Sequence, residues 1–260
     1  MTSTQGEAAS APARPRRTGR CCLAAVAGAL LALAALTLAL HRPRPVGQPG
    51  PEAEALARRM VEAVDGAAWE RTGAVRWTFA GVNQHLWDRR RGLARVRTDD
   101  VEVLLEAGAP VGRAWRRGAR LTGADERAQV ARAHAAWIND AFWLNPVVKA
   151  FDEGTARARV GDALLVTYGA GGLTPGDAYL WDLGADGRPV AWSMWVSIIP
   201  VGGVRATWEG WTRLPTGAWV ATEHRLLGLV PLRLTDVAGA ESLEALEPGP
   251  DPFAPLLAPE

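Results

Sequence analysis

The sequence predicts an α+β fold built on an antiparallel sheet of about ten strands with two or three helices. Three observations predict it. From Val75 onward the apolar residues recur with period two. Short turn signals separate these runs: Arg91-Gly92, Gly171-Gly172, Asp186-Gly187, Gly202-Gly203 and Thr216-Gly217. A single long stretch in mid-chain, residues 125 to 142, keeps a helical period instead. Runs joined by tight turns pair as hairpins, so the sheet is antiparallel.

Residues 1–20 are polar and rich in small residues, which predicts disorder. They end in Arg14, Arg16, Arg17 and Arg20. Residues 21–40, CCLAAVAGALLALAALTLAL, are apolar throughout. A run of about 20 apolar residues just spans a bilayer as a helix. The preceding arginines place the N-terminus in the cytoplasm and the domain outside. The segment reads as an uncleaved single-pass anchor. The alternative is a signal peptide, whose removal would leave the domain secreted or periplasmic. Residues 41–51, HRPRPVGQPGP, form a Pro/Gly linker.

The folded domain spans residues 52–237. Pro51 suits the first turn of a helix, and Leu56, Met60, Ala63 and Val64 give residues 52 to 65 an apolar stripe that Gly66 stops. Strands follow around Val75–Phe79, His85–Trp87 and Val101–Leu105. The mid-chain helix carries Val130, His134, Trp137, Ile138, Ala141 and Phe142 on one face. Thr122 and Asp125 resemble a capping box at its start, and Pro146 limits its end. Further strands lie near 164–168, 179–183, 190–198, 204–208, 220–226 and 230–234. Residues 238–260 are acidic and proline-containing and read as a disordered tail.

Composition limits the function. The 260 residues carry 29 Lys+Arg against 28 Asp+Glu, so no overall charge favours nucleic acid. Cys21 and Cys22 are the only cysteines, so the domain holds no disulfide. No serine-nucleophile, zinc-helix, phosphate-loop or dinucleotide motif is present, and no cofactor or metal is called for. His85, His134 and His224 have core-facing parity. They are satisfied core histidines or polar contacts in a site, and only their convergence inside a curved sheet would make a metalloenzyme. Asp140, Asp152 and Glu153 flank FWLNPVVKAF and read as helix-end and turn carboxylates, with the lone Lys149 pairing Asp152 on a turn.

The 12 tryptophans are the unusual feature. Trp192 and Trp195, like Trp208 and Trp211, are three apart, so they point to opposite faces of a strand. One face is core or cavity. The other is covered, or displayed to a partner.

Three strings carry a family resemblance: VRWTFAGVNQHLWDRRRG (75 to 92), INDAFWLNPVVKAFDEGT (138 to 155) and DAYLWDLGADGRPVAWSMWV (177 to 196). With the order of elements, they make residues 52 to 237 similar to the Lol-type periplasmic lipoprotein carriers and related extracytoplasmic lipid-binding lipoproteins. The resemblance implies a strongly curved antiparallel half-barrel with helices against its concave face and an apolar cavity for an acyl chain. The chain departs from that family in lacking a lipobox, and no counterpart of the carriers' ligand-gating arginine stands out.

The resulting expectation is a membrane-tethered, non-catalytic binder or carrier of a lipid or acyl-chain ligand. Its cavity would be lined by Trp77, Phe79, Trp137, Phe142, Trp181, Trp192, Met194, Trp208 and Trp219, all equally suited to a filled core. A filled core with exposed Trp195 and Trp211 would instead mark a protein-interaction module of the cell envelope.

Overall fold

A computed structural model describes residues 28, 35, 37–169 and 175–258. The chain divides into two units, Met1–His41 and Arg42–Glu260. In the first unit residues 37–40 are helical, and His41 N–H donates to the Thr37 carbonyl at 2.9 Å. Most of the 21–40 anchor segment, the basic cluster before it and the Gly171-Gly172 turn lie outside the described residues. Among the described residues no helix is long and apolar enough to cross a membrane.

The second unit is one open antiparallel sheet of 14 strands, four more than about ten. In chain order these are β1 Ala74–Phe79, β2 Asn83–Asp88, β3 Leu93–Thr98, β4 Val101–Glu106, β5 Gly112–Arg116, β6 Ala119–Arg120 and β7 Thr155–Val160. Then come β8 Ala163–Tyr168, β9 Ala178–Leu183, β10 Pro189–Trp195, β11 Val204–Thr207, β12 Glu209–Arg213, β13 Trp219–Leu226 and β14 Val230–Ala240. Their spatial order is β6-β5-β4-β3-β2-β1-β14-β13-β11-β10-β9-β8-β7, with β12 paired to β13 alone. The last strand therefore pairs with the first in the middle of the sheet, while β6 and β7 are its outermost strands. The sheet is a curved half-barrel.

Helix α1 (Pro51–Ala63) begins at its proline as expected. Gly66 does not end helical structure. Asp65 turns left-handed (φ 53°) and its carboxylate accepts the Ala68 N–H at 2.9 Å, which starts a second helix, α2 (Gly66–Arg71). Both helices sit at the end of the sheet that carries the 184–188 and 214–218 turns. Arg59 donates to the Ala185 carbonyl at 2.7 Å, and the Thr72 and Thr216 hydroxyls meet at 2.7 Å.

Helix α3 (Gly123–Leu144) lies across the concave face, followed by a short 3-10 helix, Val147–Phe151. Its buried residues are Val130, Ala133, Trp137, Asp140, Trp143 and Leu144. That stripe is rotated from the expected one, because the face in contact with the sheet includes a carboxylate. Thr122 is the N-cap residue without a side-chain cap. Glu126 instead accepts from Arg120 Nε at 2.8 Å.

The expected 190–198 strand is interrupted. A bulge between Pro189 and Ala191 turns Val190 outward, and β10 ends at Trp195, leaving Ile198 in an exposed loop. The 41–51 linker packs on the sheet. Arg42 N–H donates to the Gly202 carbonyl at 2.9 Å, and Gln48 bridges Arg159 at 2.8 Å in both directions.

The tail is not a free chain. Strand β14 runs through to Ala240, and two single-turn helices follow, α4 (Leu243–Leu246) and α5 (Ala254–Leu257). They cover the convex face of β2 to β4, where Phe253 is fully buried against Leu86, Leu93 and Leu104. Arg91 holds Asp251 through both guanidinium nitrogens, at 2.7 and 2.9 Å. Alternation on β2–β4 puts these leucines on the face opposite Val75 and Trp77, so a second small core had to be covered from outside. Phe253→Ala is expected to release this segment. Limited proteolysis should then cut after residue 240, with little change in the main melting transition, because the tail lets go locally before a full Phe-to-Ala cost of about 3–5 kcal/mol reaches the domain.

Candidate functional site

Antiparallel pairing brings one end of every strand to the same rim. The 80–82, 99–100, 117–118, 196–203 and 227–229 loops share that rim, opposite α1 and α2. Here a cavity of about 950 Å³ opens between the concave sheet and the C-terminal half of α3.

Its sheet wall is Phe79, Tyr168, Tyr179, Trp192, Met194, Leu226 and Leu232. Its helix wall is Ile138, Asn139, Phe142 and Trp143. Phe142 occupies the middle, with ring centroids 5.0 Å from Tyr179, 5.5 Å from Tyr168 and 6.0 Å from Trp192. Lys149, Asp152, Glu153, Gly154 and Asp177 also line the cavity, with Val196, Ile198 and Ile199 on a loop whose Ser197 N–H donates to Asp177 at 3.1 Å. Lys149 is ion-paired with Asp152. The arrangement is an apolar, aromatic chamber with a polar, mostly acidic door.

Polar atoms in the wall are few. Burial pushes the phenols of Tyr168 and Tyr179 well above their ordinary range, so both stay protonated donors. Tyr168 O–H points at the Pro146 carbonyl at 3.5 Å. The indole N–H of Trp192 is buried and finds no acceptor among the described residues.

Of the nine residues expected to line a cavity, Phe79, Phe142, Trp192 and Met194 do so. Trp77, Trp137, Trp181 and Trp208 are buried in the core beside it without reaching the space. Trp219 lies outside, half-buried beneath the Arg188 guanidinium at 4.6 Å. Tyr168, Tyr179, Trp143, Leu226 and Leu232 were not singled out. The period-two parity of Leu164, Val166 and Tyr168, and of Tyr179, Trp181 and Leu183, could have found the two tyrosines.

The three histidines do not converge, and no group of three metal-ligating side chains forms among the described residues. His85 is fully buried. Its Nε2 meets Asp140 Oδ2 at 2.8 Å, and its ring stacks on Trp77 at 4.6 Å. Asn83 and Asn139 donate to the same carboxylate at 2.8 and 2.9 Å, and Thr98 fixes Asn83 at 2.9 Å. Asp140 is thus the hub that pins α3 to β2, not a helix-end carboxylate. His134 is half-buried on the helix flank, and burial lowers its pKa.

His224 packs between Trp143 and Trp208, at 5.2 and 4.5 Å. Its Nδ1–H donates to the Thr207 carbonyl at 3.0 Å. Burial pushes its pKa down from 6.5 to about 4, against the opposing pull of the Thr207 carbonyl and Glu209. A folded-state pKa below the unfolded value means the neutral form stabilises the fold fully above pH 6.5, and this is lost as pH falls towards 4. Roughly 3 kcal/mol is at stake. In thermal melts across this window, the wild type should lose stability more steeply than His224→Gln. Parallel curves would exclude this role.

Trp195 and Trp211 are half-buried. Trp195 Nε1 donates to the Arg42 carbonyl at 2.7 Å, and Trp211 Nε1 to the Pro189 carbonyl at 3.2 Å.

No family model matches the chain, and no curated protein matches it. Among solved structures it is similar to a LolA superfamily protein from Nitrosomonas europaea, at 12% identity over 74% of this chain and 93% of that one, with a TM-score of 0.31. It is also similar to a DUF1329 family protein from Desulfovibrio piger, at 11% identity over 77% of this chain and all 100% of that one, with a TM-score of 0.36.

Proposed function

We propose that the protein is a non-catalytic binder or carrier of an acyl-chain amphiphile, acting outside the cytoplasmic membrane. The observation that carries this reading is the apolar chamber of about 950 Å³ beneath α3, open at the strand-end rim. Pockets for small ligands typically span about 300–1,000 Å³ and are mostly apolar with a few polar groups. This one has its charged groups at the door, and inside only the Asn139 amide, the Tyr168 and Tyr179 hydroxyls and the Trp192 N–H are polar. That distribution suits a molecule with a long apolar tail and a polar end. The door carries Asp152, Glu153 and Asp177, and its cation is already paired, so an uncharged polar end suits it better than a carboxylate.

The energetics need no specific chemistry. Each buried methylene contributes about 0.8 kcal/mol, which is about fourfold in Kd. Titration with monoacylglycerols of increasing length should therefore tighten by about fourfold per methylene and then level off when the chamber is full. Native mass spectrometry of detergent-free protein should show a stoichiometric acyl adduct. A flat chain-length series together with a clean unliganded mass would overturn the reading.

A further inference from the structure

We infer that the rim around the cavity mouth is a docking surface for a lipid bilayer, with the β13–β14 hairpin as its inserting tip. This hairpin reads Arg225-Leu-Leu-Gly-Leu-Val-Pro-Leu-Arg233. Leu226 and Leu232 face inward and line the cavity. Leu227, Leu229 and Val230 face water, with Leu229 82% exposed. On the neighbouring loops of the same rim, Ile198 is 73% and Val82 56% exposed. Such side chains at loop tips, at one end of the molecule and continuous with an apolar chamber, mark a surface that meets an apolar phase.

The turn itself supports this. Leu229 N–H donates to the Leu226 carbonyl at 3.0 Å, and both central residues are left-handed, Leu227 at φ 52° and Gly228 at 73°. Such turns favour asparagine or glycine at the first central position. A leucine there is strained, and the chain accepts that strain in the one place where it puts a large apolar side chain at the tip. Arg225 and Arg233 flank the tip. Arg225 lies 3.8 Å from Glu209 and Arg233 is registered opposite Glu223, so insertion of the apolar tip dominates over electrostatic adsorption.

A protein seated on this rim would cover the same residues. The bilayer is favoured because the tips project singly from separate loops instead of forming a groove, and because the chamber they surround is apolar. The path from bilayer to chamber rests on the acyl-ligand reading, but the docking does not.

The test uses the full chain, with Cys21 and Cys22 replaced by serine. A solvent-sensitive fluorophore is placed at Ile198→Cys, or at Asp162→Cys on the opposite end of the sheet as a control. Vesicles of phosphatidylethanolamine and phosphatidylglycerol carry a nitroxide on the acyl chain. Whatever the N-terminal segment contributes is common to every variant. The dye at 198 should be blue-shifted and quenched, and the dye at 162 unaffected. Leu227→Asn with Leu229→Ser should cut quenching at 198 by about tenfold or more. Its melting temperature should hold or rise, since asparagine suits the turn. High salt should change quenching little. Equal quenching at 198 and 162, insensitivity to the hairpin variant, or no association with vesicles would each overturn the proposal. Phe142→Asp, which disables the chamber, should leave quenching intact, so the docking and the ligand reading fail separately.

Discussion

Replacing Asp140 with alanine lowers the melting temperature of the domain by about 10 °C. Its carboxylate is 3% exposed and accepts from His85, Asn83 and Asn139 at once. Removing it leaves the buried His85 Nε2 without a partner, while the more accessible Asn83 and Asn139 amides can turn to water, and breaking one side of a buried pair costs about 3–5 kcal/mol. For a domain of this size each kcal/mol is worth about 2–4 °C. The loss should concentrate where Asp140 acts, so hydrogen exchange of α3 should accelerate before that of the strands. Replacing the pair together, His85→Phe with Asp140→Leu, should recover most of the stability, because an apolar pair of similar volume removes the unsatisfied groups with the charge. Calorimetry on the three proteins decides it. A shift below about 2 °C in Asp140→Ala would show that the hub does not hold the helix down.

The same residue shows where reading the sequence stops. Period-two alternation found the strands whose inward face is large and apolar, such as β1 with Val75, Trp77 and Phe79 and β10 with Trp192 and Met194. It missed β3, β5 and β7, written LARVRT, GRAWR and TARARV; in β3 and β7 arginine alternates with small or apolar residues, and β5 is only five residues long with two arginines. Arg95 lies on the outer face and pairs with Glu247, whereas Arg157 shares the face of Val166 at the sheet edge and pairs with Glu54 of α1, so charge masks the apolar period of both strands. The helix face was displaced for a related reason. A stripe drawn from apolar residues alone passes beside Asp140, whereas the true one passes through it. The tail looked disordered because its charge and prolines dominate its composition. A single buried Phe253 and one bidentate Arg91–Asp251 pair outweigh them. Of the chamber, Phe79, Phe142, Trp192 and Met194 were legible because core and cavity share one parity. Which of the aromatic residues touch empty space is set by how α3 seats on the sheet, and that depends on long-range contacts such as Asp140–His85.

Phe142→Asp should abolish acyl binding while leaving the protein folded, and it is the sharpest functional consequence of the geometry. Phe142 is half-buried because its ring faces the chamber, not packed core. A carboxylate there can stay hydrated through the open mouth while the chamber is empty. Once an apolar chain enters, the charge must lose that water with no cation in the inner wall to replace it. A penalty of about 3 kcal/mol or more follows, so affinity for a fluorophore-labelled monoacylglycerol should fall by at least about a hundredfold. The empty protein should lose only a few degrees in melting temperature. Phe142→Leu keeps the wall apolar and should bind within about tenfold of wild type, the cost of one ring's contacts. Binding by both variants at wild-type strength would show that the chain does not occupy this chamber. Loss in both, with intact folding, would instead point to a demand for the aromatic ring itself among Tyr168, Tyr179 and Trp192.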